Sequence, residues 1–176
     1  MGKSVKQHIV ESVCGFRLPR YKEIPDMGLY LEQTTKYING YLKPLGCMEI
    51  TTSMLSNYVK KGLVPNPIKK QYFAEHIAYL FFVTIAKTII SLEDVNLMLD
   101  MQKRSYSVPV AYDYLCDELE NMILYIFGFK KSMDKCGETT SEEKDILYSL
   151  CFSVAHMIHL NSRFKSIKEE KNQPVS

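Results

Sequence analysis

The feature that most constrains the fold of this chain is a long apolar segment, "AEHIAYLFFVTIAKTII", at residues 74–90. Apolar residues occupy nearly every side of a helix built from it, and a helix of that kind must be buried. Lys87 interrupts the apolar run, which is also too short to span a bilayer. We therefore expect a buried helix that starts near Phe73 and lies at the centre of its half of an all-α protein.

The rest of the chain is also dominated by helical periodicity. A short amphipathic helix is predicted first, followed by an extended linker that contains two prolines. A helical domain comes next, and two longer helices after it are expected to form a C-terminal helical hairpin. The predicted parts are the short helix and linker at 1–25, the helical domain at 26–104, the hairpin at 105–168 and a flexible tail at 169–176.

Within the helical domain, the order of elements is that of a winged helix-turn-helix. Asp26 is expected to cap a first helix that ends at Pro44, and Thr51 or Thr52 is expected to begin a second helix after a tight turn. Gly62 is placed to end this second helix as its C′ residue. The segment "LVPNPIKKQY" has no helical period, and its prolines exclude one, so it predicts an extended turn or a short two-stranded wing.

The second helix and the wing carry residue types that suit duplex DNA. Small polar side chains on a helix spanning residues 52–61 can reach base edges in the major groove, and lysines at its flanks can neutralise phosphates. Lysine pairs are also common on solvated turns, so the pattern alone leaves both interpretations open. The candidate base contacts are Thr52, Ser53, Ser56 and Asn57, and the candidate phosphate contacts are Lys60, Lys61, Lys69 and Lys70.

The charge distribution along the chain is uneven. Residues 1–70 hold 11 Lys and Arg against 5 Asp and Glu, whereas residues 71–176 hold 11 Lys and Arg against 15 Asp and Glu. A basic N-terminal half beside an acidic C-terminal half suggests that one half meets a polyanion. Chance scatter of surface charge is the alternative.

Residues 50–99 resemble the DNA-binding domain of MerR-type regulators. Tyr58 stands at the second tyrosine of their Arg-Tyr-Tyr-Glu motif, "GLVP" at Gly-Leu-x-Pro, "KQY" at the Arg-x-Tyr of the wing, and "SLEDV" at the start of a later helix. The resemblance implies a MerR-like winged helix-turn-helix that binds double-stranded DNA, and it adds Tyr58 and Tyr72 to the phosphate contacts. Ser56 stands where these regulators have the phosphate-binding arginine.

A closer resemblance is to a bacterial family called domain of unknown function 1836. Its members have segments similar to "LPRYKEIPDMGLYLEQ" and "ITTSMLSNYVKKGLVPNPIKKQY", and the similarity covers roughly residues 15–130. This resemblance implies a MerR-like fold, with DNA binding as the expected activity. MerR-type dimers use a long antiparallel coiled coil, whereas two shorter helices are predicted here.

The expected function is that of a cytoplasmic transcriptional regulator, a homodimer held through residues 106–168. We expect no membrane contact, cofactor or enzymatic activity, since the chain has no Walker A, GxGxxG or GxSxG motif. An effector of the C-terminal helices is left open. The alternative function is a protein-interaction module with a decayed DNA-binding surface, which Ser56 favours. In an alternative assembly, the C-terminal hairpin folds back on the buried helix and completes the core of a monomer.

Cysteine and histidine residues give no strong sign of a metal site. The five cysteines are widely spread without a CxxC motif, which predicts free thiols in a reducing compartment. His156 and His159 lie three residues apart, but further ligands are missing nearby, so a partly buried structural pair is favoured. His76 is expected to pack or cap at the start of the buried helix.

Overall fold

The computed structural model describes residues 13–133 and 141–171. The described part is helical apart from two strands of two residues each, so the all-α prediction is confirmed. None of its helices is both long and apolar enough to cross a bilayer. The helices are α1 (Leu31–Leu42), α2 (Thr52–Lys60), α3 (Ala74–Ala86), α4 (Leu92–Ser105), α5 (Val108–Ile126) and α6 (Glu142–Lys171), and the strands are β1 (Leu29–Tyr30) and β2 (Gln71–Tyr72).

Two of the predicted features lie largely or partly outside the residues that the structure describes. The short amphipathic helix predicted before Gly15 lies mostly outside the described residues, and so does the end of the predicted tail, at residues 172–176. Residues 169–171, predicted as the first part of the tail, belong to α6, which continues to Lys171.

Helix α3 is buried, as its sequence predicts, and its core extends beyond its own half to the C-terminal helices. Its side chains are inaccessible on several sides, and Ile77, Leu80, Phe81 and Val83 are fully buried. A helix that is apolar all round can only be stable where other elements cover every face. The other helices therefore pack around α3.

Helix α1 begins later than predicted, and Asp26 does not cap it. Leu29 and Tyr30 instead form β1, which pairs antiparallel with β2 in the register Leu29 to Tyr72 and Tyr30 to Gln71. Strand pairing holds Tyr30 in an extended conformation, so the helix starts at the next residue. The side chain of Gln33 then accepts a hydrogen bond of 2.9 Å from the Tyr30 N–H, as a capping residue does.

The segment before β1, which contains a short 3-10 helix at Tyr21–Glu23 and is therefore not extended throughout as predicted, is bound to α5. The Leu18 N–H donates to the Glu120 carboxylate at 2.8 Å, and the Tyr21 N–H donates to Asp113 at 2.7 Å. The Arg20 guanidinium donates to both Glu120 and Asp117 at 2.8 Å, and these bonds raise the pKa of Arg20. Residues 17–24, predicted as a linker, are thus a strap that ties the N-terminal part to the C-terminal part.

Helices α5 and α6 run parallel, so the predicted hairpin is wrong. Near their starts, the Ser105 hydroxyl before α5 donates to Glu143 at 2.8 Å, and the Lys144 ammonium lies 5.3 Å from the Tyr114 ring centroid. Near the end of α5, the rings of Phe127 and His159 are 4.9 Å apart. Antiparallel helices would instead bring the end of α5 to the start of α6.

The segment that follows α5 turns back along that helix. The Phe129 N–H donates to the Leu124 carbonyl at 2.8 Å, and the Lys130 ammonium donates to the Asn121 side chain at 3.0 Å. Further on, the Tyr148 hydroxyl of α6 donates to the Met133 sulfur at 3.6 Å. The described part of this connection, residues 127–133, therefore turns back along α5 and reaches Tyr148 in the first part of α6.

The two predicted domains share one hydrophobic core. Buried residues of α1 to α6 belong to a single cluster, in which Phe81 of α3 lies 6.0 Å from Tyr112 of α5 between ring centroids. The C-terminal helices thus pack against α3, which is the arrangement expected of the monomer alternative.

Candidate nucleic-acid interface

The start of α2 is fixed by an asparagine of α1. Both ends of the Asn39 amide bond the backbone of Ile50, at 2.8 Å to its carbonyl oxygen and 2.9 Å from its N–H. Thr51 then accepts a hydrogen bond of 3.2 Å from the Met54 N–H, so Thr51 is the N-cap and Thr52 is the first helical residue. The pairing of Asn39 with Ile50 spans two elements and leaves no local signal in the sequence.

The connection between α1 and α2 is longer than the predicted tight turn. It runs over residues 43–51 and begins with a short 3-10 helix at Lys43–Leu45. The turn of a helix-turn-helix usually has three or four residues. Here Leu45, Met48 and Ile50 are buried in the core, and this anchoring requires the longer connection.

Helix α2 presents one polar face to solvent. The exposed residues Ser53, Ser56, Asn57 and Lys60 follow the spacing i, i+3, i+4 and i+7, which places them on one side of a helix. Leu55 lies on the opposite side and is fully buried. The Ser56 hydroxyl donates to the Thr52 carbonyl at 2.9 Å, and Thr52 itself is half-buried.

The end of α2 has the geometry that its glycine predicts. Gly62 has a φ of 75°, a left-handed conformation that side chains disfavour. The Gly62 N–H donates to the Val59 carbonyl and the Leu63 N–H donates to the Tyr58 carbonyl, both at 3.0 Å. This pair of bonds is a Schellman motif, and buried Leu63 supplies its apolar contact.

The segment predicted as a wing contains a tight hairpin turn with two lysines at its tip. The N–H and carbonyl groups of Ile68 and Gln71 bond each other at 3.0 and 2.9 Å, and Lys69 and Lys70 have φ values of 50° and 65°. Positive φ at both central residues defines a type I′ turn, which usually contains Asn-Gly. Because neither lysine favours this conformation, the sequence alone could not locate the turn. We call residues 68–71 the basic hairpin turn.

His76 holds the wing to the start of α3, in agreement with its predicted packing or capping role. The Phe73 N–H donates to Nδ1 of His76 at 3.1 Å. Nε2 therefore carries the hydrogen, and it donates to the Asn66 carbonyl at 3.0 Å. The ring is buried, so both bonds are shielded from water.

Tyr58 and Tyr72, predicted as phosphate contacts, are core residues. Their side chains are 2% and 5% exposed, and burial raises the pKa of Tyr58 to about 12. The Tyr72 ring packs edge-on against His76, with 5.8 Å between centroids. We therefore correct their role from binding phosphate to supporting α2 and β2.

The segment that contains α2 and the basic hairpin turn is positively charged. Residues 50–74 contain four lysines and no aspartate or glutamate. Each of these lysines is exposed, and within the described residues none of them forms an ion pair. The four are Lys60, Lys61, Lys69 and Lys70.

The two C-terminal histidines contact aromatic rings. His156 lies 4.6 Å from Phe152 between ring centroids, and burial lowers the pKa of His159. Residues 13–133 and 141–171 contain no group of three or more His, Cys, Asp or Glu side chains that could hold a metal ion. The four cysteines in these ranges are free thiols.

Fold and surface together define a small helical protein with an exposed polar side on α2 and an exposed basic hairpin turn. The chain belongs to the family described as Domain of unknown function (DUF1836), whose family model matches residues 19–115. This confirms the closer of the two resemblances, while the likeness to MerR-type regulators stays a prediction. No curated protein and no solved structure gives a significant match.

Proposed function

We propose that the protein binds duplex DNA with α2 and the basic hairpin turn and acts as a transcriptional regulator. The observation that carries the proposal is the exposed stripe of Ser53, Ser56, Asn57 and Lys60 within a segment free of acidic residues. The major groove admits a helix, and small polar side chains on it can read base edges. Asn57 is the strongest candidate for base reading, because asparagine can pair with adenine through two hydrogen bonds.

The basic hairpin turn supports a phosphate-binding role. Two lysines occupy the left-handed region of the backbone, where a side chain costs roughly 1–2 kcal/mol per residue. Strained positions of this kind cluster at functional sites. An Asn-Gly pair would form the turn with less strain, but it would carry no charge to a phosphate. The lysines are therefore better explained by binding an anion than by stabilising the fold.

Ser56 stands at the position where MerR-type regulators carry an arginine. Lys60 lies one helical turn later on the same face, and Lys61 follows it, so two positive charges remain at this end of α2. Lysine binds phosphate as a point charge, without the two-pronged geometry of arginine. We accordingly propose that these lysines make a similar number of phosphate contacts, but without the two-pronged hydrogen bonding of arginine.

We also propose that the regulator is a homodimer held through the C-terminal helices. A single recognition helix contacts few base pairs, and helix-turn-helix proteins usually bind as dimers. Leu160, Phe164 and Ile167 of α6 are 55%, 52% and 44% exposed and lie on one side of the helix. These residues lie beyond His159, which packs at the end of α5, so α5 does not cover them.

Selection from a random duplex pool tests the proposed function. We expect the 176-residue protein to enrich a preferred site, and we expect Asn57→Ala to lose about fivefold or more in affinity for that site, with a smaller loss on random DNA. A bidentate contact discriminates by roughly 1–3 kcal/mol, which corresponds to such a loss. Asn96→Ala, an exposed asparagine of α4, is the matched control and should bind like the parent protein.

Two outcomes would contradict the proposal in different ways. An equal loss on all duplexes would restrict Asn57 to positioning the backbone or supporting the fold. Failure of the parent protein to bind any duplex at low salt would favour the alternative, a protein-interaction module with a decayed DNA surface.

A further inference from the structure

An apolar cavity of about 190 Å³ lies among α3, α4, α5 and α6. Its walls are mainly aliphatic, aromatic and methionine side chains, and it opens beside Val110, which is 56% exposed. The cavity is separate from α2 and the basic hairpin turn. The principal apolar wall residues are Phe82, Met98, Leu115, Tyr114, Ile146 and Leu147.

Small residues on two helices help to keep this space open. Ala78 of α3 and Ala111 of α5 line the cavity, and each has only a methyl group to fill it. Natural protein interiors contain few voids larger than a water molecule. An apolar pocket of this size between four helices, open to solvent on one side, has room for a small molecule.

Several of the polar groups around the cavity are bonded to the protein itself. The Gln102 amide donates to the Tyr106 carbonyl at 2.6 Å, and the Glu143 carboxylate accepts a bond from Ser105. The Lys144 ammonium lies against the Tyr114 ring. Glu143 and Lys144 also oppose each other in charge, so the cavity does not favour a ligand of either sign. The cavity therefore presents mainly apolar surface to a molecule that enters it.

We propose that this cavity is a binding site for a small, uncharged, mainly apolar molecule, about the size of one substituted aromatic ring. A dry apolar cavity of about 150 Å³ in another protein binds benzene. The volume of 190 Å³ here admits a ring with a few further heavy atoms. The site gives the protein a sensing function that does not depend on DNA binding.

Calorimetry and ligand-observed NMR on the 176-residue protein test this site, with toluene and indole as neutral probes and benzoate as a charged one. We expect saturable binding of the neutral probes, with dissociation constants of about a millimolar or tighter, and at least tenfold weaker binding of benzoate. Saturable binding of benzoate as tight as that of toluene would overturn the uncharged class. Absence of saturable binding of both neutral probes would identify the cavity as a packing void and overturn the proposal.

Two variants locate the binding. Ala111→Met should fill the cavity from a half-exposed position and weaken toluene binding at least tenfold, whereas Asn96→Met on the exposed side of α4 should leave it unchanged. Leu147→Ala, at a half-buried position, should enlarge the cavity and improve binding of naphthalene at least tenfold. Circular dichroism checks that each variant is folded, and if Ala111→Met is not, the naphthalene result decides. Unchanged affinities in the folded variants would place the probes elsewhere and overturn the assignment.

Discussion

At the scale of single residues, Lys69 and Lys70 stand at positions where the residues that best stabilise the turn differ from those that best bind an anion. Their left-handed backbone favours Asn-Gly, and the hydrogen bonds of Ile68 and Gln71 hold the turn in spite of the lysines. A residue that is poor for the fold but exposed and charged is best explained by what it binds.

Substitution of both lysines is therefore expected to have opposite effects on protein stability and on DNA binding. The double substitution Lys69→Asn and Lys70→Gly should raise the free energy of unfolding by about 1 kcal/mol, because the strain of positive φ is relieved. The same change should weaken DNA binding, because two ammonium groups no longer neutralise phosphates. Urea denaturation and a duplex-binding titration measure the two effects.

The matched control removes the same charges from right-handed backbone. Lys60 ends α2 and Lys61 is its C-cap with a φ of −81°, so Lys60→Asn with Lys61→Gly should lower stability while also weakening binding. A lower urea midpoint for the Lys69 and Lys70 variant would show that the lysines do not strain the turn.

At the scale of elements, the parallel arrangement of α5 and α6 determines which surface is left for a partner. Phe127 at the end of α5 packs against His159, and α6 continues to Lys171. The stripe of Leu160, Phe164 and Ile167 is therefore exposed in a single chain. An antiparallel hairpin would have placed these residues at the start of α5 instead.

Light scattering at micromolar concentration tests the proposed role of this stripe. We expect the parent protein to have a mass near two chains and Leu160→Glu with Phe164→Glu to have a mass near one chain, 20.4 kDa. Burying carboxylates in an apolar interface is costly, which is the reason for the change. Arg163→Glu with Lys165→Glu, at exposed neighbouring positions, is the control and should remain dimeric. A parent mass near 20.4 kDa throughout a tenfold dilution series would contradict the dimer.

At the scale of the whole molecule, the sequence predicts elements better than their arrangement. The buried position of α3 follows from its apolar composition, and the ends of α2 follow from Thr51 and Gly62. The start of α1 could not be predicted in the same way, because pairing of β1 with a strand distant in sequence overrides local helical preference.

The parallel direction of α5 and α6 was also beyond local sequence patterns. The connection between them is polar and contains glycines, as short helical turns do, and its return along α5 depends on contacts such as Lys130 with Asn121. At the candidate interface, exposed Ser53, Ser56 and Asn57 lie as predicted, whereas Tyr58 and Tyr72 are buried. A motif match indicates which residues are important, but burial decides which of them can meet a ligand.

The salt dependence of duplex binding tests the central claim most directly. For the parent protein, log affinity should fall linearly with log salt concentration, and Lys69→Ala with Lys70→Ala should flatten the slope by about 0.9 for each phosphate that is no longer neutralised. Lys165→Ala with Lys168→Ala removes the same charge from exposed positions on α6 and should leave the slope unchanged. Equal slopes for the parent protein and the Lys69 and Lys70 variant would contradict a DNA-binding role for the basic hairpin turn.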